Sequence, residues 1–220
     1  SASAKRLING WAYSAECILH GTPSGLDNEV SCAGDAIRHI RDTATGGKHF
    51  EPVPTMPSLR VLITNTKVPR STKELVAGVA RLKAAQPQII SHIFDAMAEI
   101  ASRFLSVPAL PSSATPDERT KMVQTIGELV TMNHHLLNAI GVGHPALDEV
   151  VAITKEEGLP TKLTGAGGGG CAYTVLGSAD APLDEQIVAA TARAREKLEA
   201  RGFECFETRV GGHGCLWHES

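Results

Sequence analysis

The run "KLTGAGGGGCAYTVL", residues 162–176, decides the fold through the type of segment that comes after its glycines. Gly165, Gly167 and Gly170 satisfy the spacing G-x-G-x-x-G, which is typical of dinucleotide-binding proteins. In those proteins a helix comes after the glycines, so that its N-terminus faces a pyrophosphate. In this sequence the β-type run "CAYTVL" takes that place. The stretch therefore predicts a strand, a loop and a second strand, and it excludes a dinucleotide-binding fold.

The density of glycine in this loop needs its own explanation. Five of the six residues 165–170 are glycine, and each glycine costs backbone entropy on folding. A structural hairpin needs only one or two glycines, whereas a run this rich lets another backbone or an anion approach closely, with successive N–H groups pointing one way. The sequence favours a functional loop, and a merely permissive turn is the alternative.

The segments around this loop predict an α+β fold. Strands are predicted at "AIRHI", "KHFEPV" (with a glycine turn at "TGG" between these two), "LRVLITNT" and "FECFETRV". Several helices lie mid-chain, one of them from a Thr115 cap with Pro116 and Glu118 to about Ile140, and a late helix ends at Gly202. Strands around helices bunched mid-chain predict an antiparallel sheet packed against a bundle of helices, not a doubly wound α/β sheet.

Composition excludes several classes of protein. Apolar residues make up 42% of the 220 residues and charged residues 20%, values typical of a soluble globular protein. The formal charge of −3 gives no basic field, so a nucleic-acid partner is not expected. No apolar run approaches the ~20 residues of a membrane helix, so no membrane partner is expected either.

The cysteines point to a reducing compartment. There are five, scattered and without a C-x-x-C pair, and the nine histidines form no spaced ligand set with them. Packed, reduced thiols in the cytoplasm are predicted, with a peroxisomal location left open, and a structural zinc site is not expected.

The first part of the chain places two acids near a helix–helix corner. Leu7, Trp11, Ala15 and Ile18 have helical spacing, and "HGTPSGLDNEV", residues 20–30, predicts a second helix that is capped by Thr22 and has Pro23 in its first position. Asp27 then lies about one turn inside, where the positive end of the helix dipole stabilises negative charge. Glu16 lies near the end of the preceding helix, where the dipole disfavours an acid. One acid would hold Mg²⁺ while the other accepts or orients a proton, although the dipole alone also accounts for an acid at position 27.

Three stretches together, "HGTPSGLDN", "ITNTKVPRST" and "KLTGAGGGGCAYTVL", resemble the GHMP small-molecule kinase family, and within it the branch that phosphorylates mevalonate. The resemblance covers nearly the whole chain. It implies that Asp27 is the catalytic aspartate facing the substrate hydroxyl and that Glu16 binds Mg²⁺. It also implies that the family's third motif, which packs beside the nucleotide phosphate loop, is formed by Gly165, Ala166, Gly167, Gly168, Gly169 and Gly170.

The function implied by the resemblance is phosphorylation of mevalonate in isoprenoid biosynthesis, with ATP as substrate, Mg²⁺ as cofactor and a homodimer left open. Ser24, Gly25, Thr66 and Lys67 are candidates for substrate contacts, and Arg70 after the central strand is a further one. Two alternatives remain: another kinase of the family acting on phosphomevalonate or a sugar, and a non-catalytic regulatory or assembly domain.

The sequence departs from the family pattern in its nucleotide-binding part. It contains no phosphate-cradling segment of the type P-x-x-x-G-L-G-S-S-A, and Lys5 does not match the lysine that pairs with the family's catalytic aspartate. The expectation is a C-terminal portion of the enzyme that is inactive alone. Residues 1–34 are then active-site helices from the end of the N-terminal kinase domain, and residues 35–220 are the C-terminal α+β domain.

Two histidine predictions are independent of the resemblance. His134 and His135 point about 100° apart on a helix, so at most one of them faces any given site, and a packed or solvated pair is favoured. His20 is interpreted as a residue that caps the first helix through the dipole.

Overall fold

The computed structural model describes residues 2–20, 23–41, 47–53, 56–111 and 113–216. The chain divides into two compact units, one of residues 58–209 and one of residues 1–57 together with 210–220. The predicted Thr22 cap, the His20 side chain and most of the "TGG" turn lie outside the described residues. The proposed family-domain boundary between residues 34 and 35 stays a prediction.

The smaller unit contains two helices and a hairpin: α1 (Ala2–His20), α2 (Leu26–Ala33), β1 (Ile37–Arg41) and β2 (Lys48–Pro52). The two strands are antiparallel, with Ile37 opposite Pro52, as the sequence predicts. The helical spacing in the first residues is also confirmed by α1. The apolar stripe of this helix is nevertheless solvent-exposed, with Leu7 at 64%, Trp11 at 73% and Ile18 at 85%.

The predicted start of α2 is wrong. The helix begins at Leu26, whereas the sequence favoured Pro23 as its first residue. The physical reason is Gly25, which adopts a left-handed conformation with φ of 80° and therefore separates Pro23 and Ser24 from the helix. The Leu26 N–H donates to Ser24 Oγ at 3.2 Å. Asp27 is consequently the second residue of α2.

The larger unit is a four-stranded sheet with helices, and it confirms the α+β prediction. Its elements are β3 (Leu59–Asn65), α3 (Thr72–Ala85), α4 (Pro87–Leu105), α5 (Pro116–Ala139), α6 (Pro145–Glu156), β4 (Thr161–Leu163), β5 (Cys171–Ser178), α7 (Glu185–Ala200) and β6 (Glu204–Val210). The strand order is β4-β5-β3-β6, and β5 is antiparallel to both β3 and β4. The glycine run therefore connects two neighbouring strands, and β3 is central, as predicted.

The sheet of this unit has a core on each face, because successive residues of a strand point to opposite sides. Leu62 packs with Leu147, Leu163 and Leu198 in the core that α6 and α7 cover. Its neighbour in β3, Val61, packs on the other side in the core that contains Met122, Ile126 and Val130 of α5. Among the helices of the described residues, none is long and apolar enough to cross a membrane.

The capping prediction for α5 is confirmed. Thr115 Oγ1 accepts from the Glu118 N–H at 3.3 Å, and Glu118 Oε2 accepts from the Thr115 N–H at 2.8 Å. Pro116 is the first residue of the helix, and its last residue, Ala139, precedes the glycines of "GVG". These local signals set the start of α5 at Pro116 and its end at Ala139.

Candidate functional site

The glycine loop of the larger unit has a backbone that only glycine adopts readily. Gly165, Gly167, Gly168, Gly169 and Gly170 all have positive φ, with values from 68° to 131°. Side chains are excluded for a second reason. A Cβ at Gly167 would overlap the carbonyl oxygen of Val142, and one at Gly170 would overlap the guanidinium of Arg70. Conformation and close packing together account for the density of glycine in this loop.

Some backbone N–H groups of the loop donate hydrogen bonds that hold the loop in place, and others have no hydrogen-bond acceptor among the described residues. Gly168 N–H donates to Val142 O at 2.9 Å, and Gly170 N–H donates to Val68 O at 3.1 Å. The N–H groups of Gly165, Ala166 and Gly167 have no acceptor in the described part of the chain. The loop therefore carries backbone donors that are unused among the described residues, and successive backbone N–H groups of this kind can bind an anion.

A hollow of about 300 Å³ lies beside the loop at the N-terminus of α3. Its lining includes Gly168 of the loop, Arg70, and Ser71, whose Oγ caps α3 by accepting from the Glu74 N–H at 3.4 Å. Arg70 Nη1 donates to the Gly169 carbonyl at 3.4 Å. A helix N-terminus, a guanidinium and a glycine-rich backbone are features that favour a negatively charged group, while Glu74 in the same lining opposes one.

A larger cavity, of about 1010 Å³, lies elsewhere in this unit. Arg60 at the start of β3 and Ala179 after the end of β5 line it. The glycine loop is at the other end of these strands, where Asn65 pairs with Cys171. Size alone therefore does not identify the candidate site.

The predicted substrate contacts after β3 have other partners in the structure. Thr66 is buried, and its hydroxyl donates to the Gly170 carbonyl at 2.7 Å. Lys67 has a left-handed φ of 59°, and its ammonium lies 3.0 Å from Glu204 Oε1. Thr66 thus positions the loop and Lys67 forms an exposed ion pair. Their contact with substrate stays a prediction.

Asp27 and Glu16 lie on adjacent helices of the smaller unit. Asp27 is exposed at the second position of α2, and its carboxylate has no hydrogen-bond partner among the described residues. Glu16 lies on α1, four residues before the end of that helix, and is half-buried. The carboxylate of Asp27 is available for a ligand, and the dipole of α2 stabilises its charge.

The contact between α1 and α2 rests on amide groups and one ring. Asn9 Nδ2 donates to Glu29 Oε2, and Asn28 Nδ2 donates to Asn9 Oδ1. The ring of Tyr13 lies against Gly25, where an added Cβ would come within 3.2 Å of it. Gly25, a predicted substrate contact, therefore has a packing role at the start of α2, while Ser24 is exposed.

His134 is a buried structural residue, as the interpretation of the histidine pair favoured. Its Nδ1 accepts from the Leu163 N–H at 3.4 Å, and its Nε2 lies 3.8 Å from Asp148 Oδ1. Burial lowers the pKa of His134, and the charge of Asp148 opposes this shift. His135 is exposed, so the two rings have different environments. His134 connects α5, α6 and β4.

A half-buried lysine lies just before the glycine loop. Lys162 is opposite Tyr173 in the β4–β5 pairing, and its ammonium lies 5.5 Å from the centre of that ring. Burial lowers the pKa of Lys162 to about 8 and raises the pKa of Tyr173 to about 12. Sequence reasoning missed this pair, because only the strand register places the two residues together.

Two further contributors to the site, Val142 and Ser71, were not among the predicted site residues. The Val142 carbonyl accepts from the glycine loop across a long sequence separation, and nothing in "GVG" indicates that role. Ser71 caps α3 and also lines the hollow at the N-terminus of that helix. The sequence predicts a helix at "STKELVAGVARLKAA", which α3 confirms, but it does not indicate that this helix start lines a hollow.

One part of the larger unit resembles a known family of domains. Residues 119–212, which run from the first turn of α5 to just after β6, match the family model "GHMP kinases C terminal". This part of the chain is therefore similar to the C-terminal domain of GHMP kinases.

The particular relatives are mevalonate kinases. The chain is 40% identical over 213 residues to the mevalonate kinase of Mus musculus, with 97% of this chain and 50% of that relative covered. It is 39% identical over 214 residues to the mevalonate kinase of Homo sapiens, with the same coverage. The chain thus spans about half the length of the curated relatives it matches.

Solved structures agree with this comparison. The L. major mevalonate kinase in complex with R-mevalonate matches with a TM-score of 0.78 and 25% identity, covering 96% of this chain and 60% of that one. The Methanococcus jannaschii mevalonate kinase matches with a TM-score of 0.66 and 20% identity, covering 95% of this chain and 57% of that one. The first match confirms the predicted fold. The second match, at 20% identity, is evidence for the fold and for nothing further.

Proposed function

We propose that the protein containing these 220 residues transfers the γ-phosphoryl group of ATP to the primary alcohol of mevalonate. The observation that carries this proposal is the identity of about 40% to mevalonate kinases along 97% of the chain. We further propose that residues 1–34 belong to the active-site part of the N-terminal kinase domain and residues 35–220 to the C-terminal domain. The reaction would serve isoprenoid biosynthesis in the cytoplasm, where the free thiols of the chain are stable.

The glycine loop would act on the phosphate side of the reaction. Its uncommitted N–H groups at Gly165, Ala166 and Gly167, with the N-terminus of α3, supply fixed donors for charged oxygens. Phosphoryl transfer depends mainly on positioning and electrostatic stabilisation, and donors that need no reorganisation are effective for that purpose. The Arg70 guanidinium beside the loop adds positive charge.

Asp27 would act on the alcohol. The alcohol oxygen attacks the γ-phosphorus, the bond between that phosphorus and the bridging oxygen of ADP breaks, and the hydroxyl proton leaves. Asp27 orients the hydroxyl or accepts that proton. Support comes from its exposed carboxylate, which is uncommitted among the described residues.

Glu16 would supply one carboxylate oxygen to Mg²⁺. The described residues contain no group of three side chains that could hold a metal ion by themselves. In kinases, one or two carboxylates and the substrate phosphates usually share the Mg²⁺ ion. When bound, Mg²⁺ neutralises charge on the phosphate oxygens.

The test is an assay of the natural gene product with ATP, Mg²⁺ and a panel of mevalonate, phosphomevalonate and galactose. Mevalonate-dependent release of ADP, with phosphomevalonate identified by mass spectrometry, is expected. Turnover only with another alcohol would replace the proposed substrate within the same class, and no turnover with any alcohol would favour a regulatory or assembly domain.

Asp27 is tested in the same assay. Asp27→Asn keeps the side-chain shape and removes the charge, and it should lower kcat by roughly 10²–10⁴ with little change in KM. Glu29→Gln is the matched control, because Glu29 lies in the same first turn of α2. A kcat of Asp27→Asn within about tenfold of wild type, below the usual range for such a group, contradicts the assignment.

A further inference from the structure

Two of the five free cysteines lie side by side in the smaller unit. Cys32 is in the last turn of α2 and is buried, with 6% of its surface exposed. Cys215 belongs to the segment after β6 and is half-buried. Their sulfur atoms are 3.9 Å apart although the residues are separated by 183 positions in the chain. Such a contact between distant segments needs a structural cause.

Backbone pairing between the two segments provides that cause. Gly34 and His213 form an antiparallel bridge, the Cys215 N–H donates to Cys32 O at 3.2 Å, and the Asp35 N–H donates to Gly212 O at 2.6 Å. The backbones are so close that a Cβ at Gly34 or Gly214 would overlap main-chain atoms of the other segment. The positions of the two thiols are therefore set by the main chain.

We propose that Cys32 and Cys215 form an oxidative modification site, at which a peroxide or a low-molecular-weight disulfide converts the two thiols reversibly into a disulfide. The bond would tie the segment after β6 to the end of α2. The required movement is small, because the sulfurs in contact at 3.9 Å need to approach to about 2.0 Å.

The reaction with hydrogen peroxide balances without another reactant. The Cys215 thiolate attacks one peroxide oxygen, the O–O bond breaks, and a sulfenic acid and water form after uptake of one proton. The Cys32 sulfur then attacks the Cys215 sulfur, the S–O bond breaks, and a second water leaves with the Cys32 proton. Two thiols lose two electrons, and the peroxide is reduced to two waters. A dithiol reductant reverses the change.

The environments of the two thiols decide which reacts first. Burial raises the pKa of the Cys32 thiol, and the contact with Cys215 raises it further, so Cys32 forms little thiolate. Cys215 is more accessible to solvent. Because oxidants react with accessible thiolates, Cys215 is the residue oxidised first and Cys32 is the resolving thiol.

The disulfide would have a structural effect on α2. It closes a loop between residues 32 and 215 and so restricts the unfolded chain, which is the usual source of disulfide stabilisation. It also fixes the last turn of the helix, since Cys215 Sγ already lies 3.9 Å from Ser31 O, and Ser31 Oγ donates to Asp27 O at 2.7 Å. This effect does not depend on the proposed kinase activity.

The test uses the purified natural gene product in its native state. It is treated with hydrogen peroxide or with glutathione disulfide, free thiols are alkylated, and the digest is analysed by mass spectrometry. The expected result is a linked peptide pair containing Cys32 and Cys215 that disappears after reduction. The melting temperature of the oxidised protein should exceed that of the reduced protein by about 5–10 °C.

Three variants make the result specific. Cys215→Ser should abolish both the linked peptide and the temperature shift, and Cys32→Ser should do the same. Cys205→Ser is the matched control, a half-buried thiol that contacts the Thr64 hydroxyl at 3.8 Å, and should keep both. If Cys32→Ser does not fold because the position is buried, Cys215→Ser alone decides. The proposal is overturned if native oxidation yields no Cys32–Cys215 peptide, or if Cys215→Ser retains the shift.

Discussion

Thr66 holds the last glycine of the loop, because its hydroxyl and its backbone N–H both donate to the carbonyl oxygen of Gly170, at 2.7 and 2.9 Å. Thr66 comes directly after β3, the central strand, and is buried. The double hydrogen bond therefore connects the glycine loop to the central strand of the larger unit. A loop made almost entirely of glycine gains its order from such external contacts.

Removing the Thr66 hydroxyl should loosen the loop. Thr66→Val keeps the shape of the side chain but removes two hydrogen bonds, the one donated to the Gly170 carbonyl and the one accepted from the Val68 N–H at 3.3 Å. The expected cost is about 1–3 kcal/mol in the free energy of unfolding. If the loop binds phosphate, KM for ATP should rise several-fold while kcat changes less. Thr66→Ser restores the hydroxyl and should recover most of both losses. Urea unfolding measures the loss of stability, and steady-state kinetics measures the change in KM. Identical values for Thr66→Val and Thr66→Ser would contradict the role of the hydroxyl.

Two glycines with the same backbone conformation should respond differently to alanine. Gly158 and Gly167 have φ values of 73° and 80°. An added Cβ meets nothing within 4 Å at Gly158 but overlaps the Val142 carbonyl at Gly167. Gly158→Ala should cost about 1 kcal/mol for the left-handed backbone alone. Gly167→Ala should cost about 1–3 kcal/mol more, as overpacking does. Equal losses in urea unfolding would mean that the loop moves away from Val142 without cost.

Local patterns predicted most elements of the fold and failed where two local signals competed. The Thr115 cap, the helix from Pro116 and the strands on either side of the glycines arise from short-range chemistry and are confirmed. The start of α2 was misplaced because Pro23 is a good first helical residue. The left-handed conformation of Gly25, two positions later, prevents the helix from including Pro23, so α2 begins at Leu26.

The candidate site was predictable only in part. Glycine density indicated that the loop is special, but its acceptor at Val142 and its donor at Thr66 come from distant parts of the chain. No periodicity encodes such long-range hydrogen bonds. The roles of Asp27 and Glu16 came from a family resemblance, since an acid in the first turn of a helix is equally expected on structural grounds.

Glu16 should affect the metal requirement more than the chemical step. Glu16→Gln removes the charge of the proposed Mg²⁺ ligand. The Mg²⁺ concentration that gives half-maximal activity of the natural gene product should therefore rise by roughly 10-fold or more. At saturating Mg²⁺, kcat should recover substantially. Asp27→Asn is the comparison, because added Mg²⁺ cannot replace a lost proton acceptor. An unchanged Mg²⁺ titration of Glu16→Gln would show that this carboxylate is not a ligand.

Lys162 should lower the stability of the protein at neutral pH. Its pKa in the folded protein is about 8, below the usual 10.5, because burial penalises the charged ammonium. Lys162→Met has similar length, keeps the contact with the Tyr173 ring and carries no charge. The variant should be more stable than wild type by about 2 kcal/mol at pH 7, after allowance for partial exposure and the lost cation–π contact. Urea unfolding of both proteins measures the difference.

The pH dependence of that difference identifies its cause. Below about pH 8 the lysine is charged in both the folded and the unfolded state, so the full cost of burial is present. Between pH 8 and 10.5 the lysine is still protonated in the unfolded chain but loses its proton in the folded protein. The free energy of unfolding of the wild type therefore rises with pH relative to that of the variant, and the stability difference between the two proteins vanishes near pH 10.5. Tyr173, whose pKa burial raises to about 12, is present in both proteins and cancels. Lys155→Met, at an exposed position, should show no such trend, and a pH-independent advantage of Lys162→Met would assign the effect to packing.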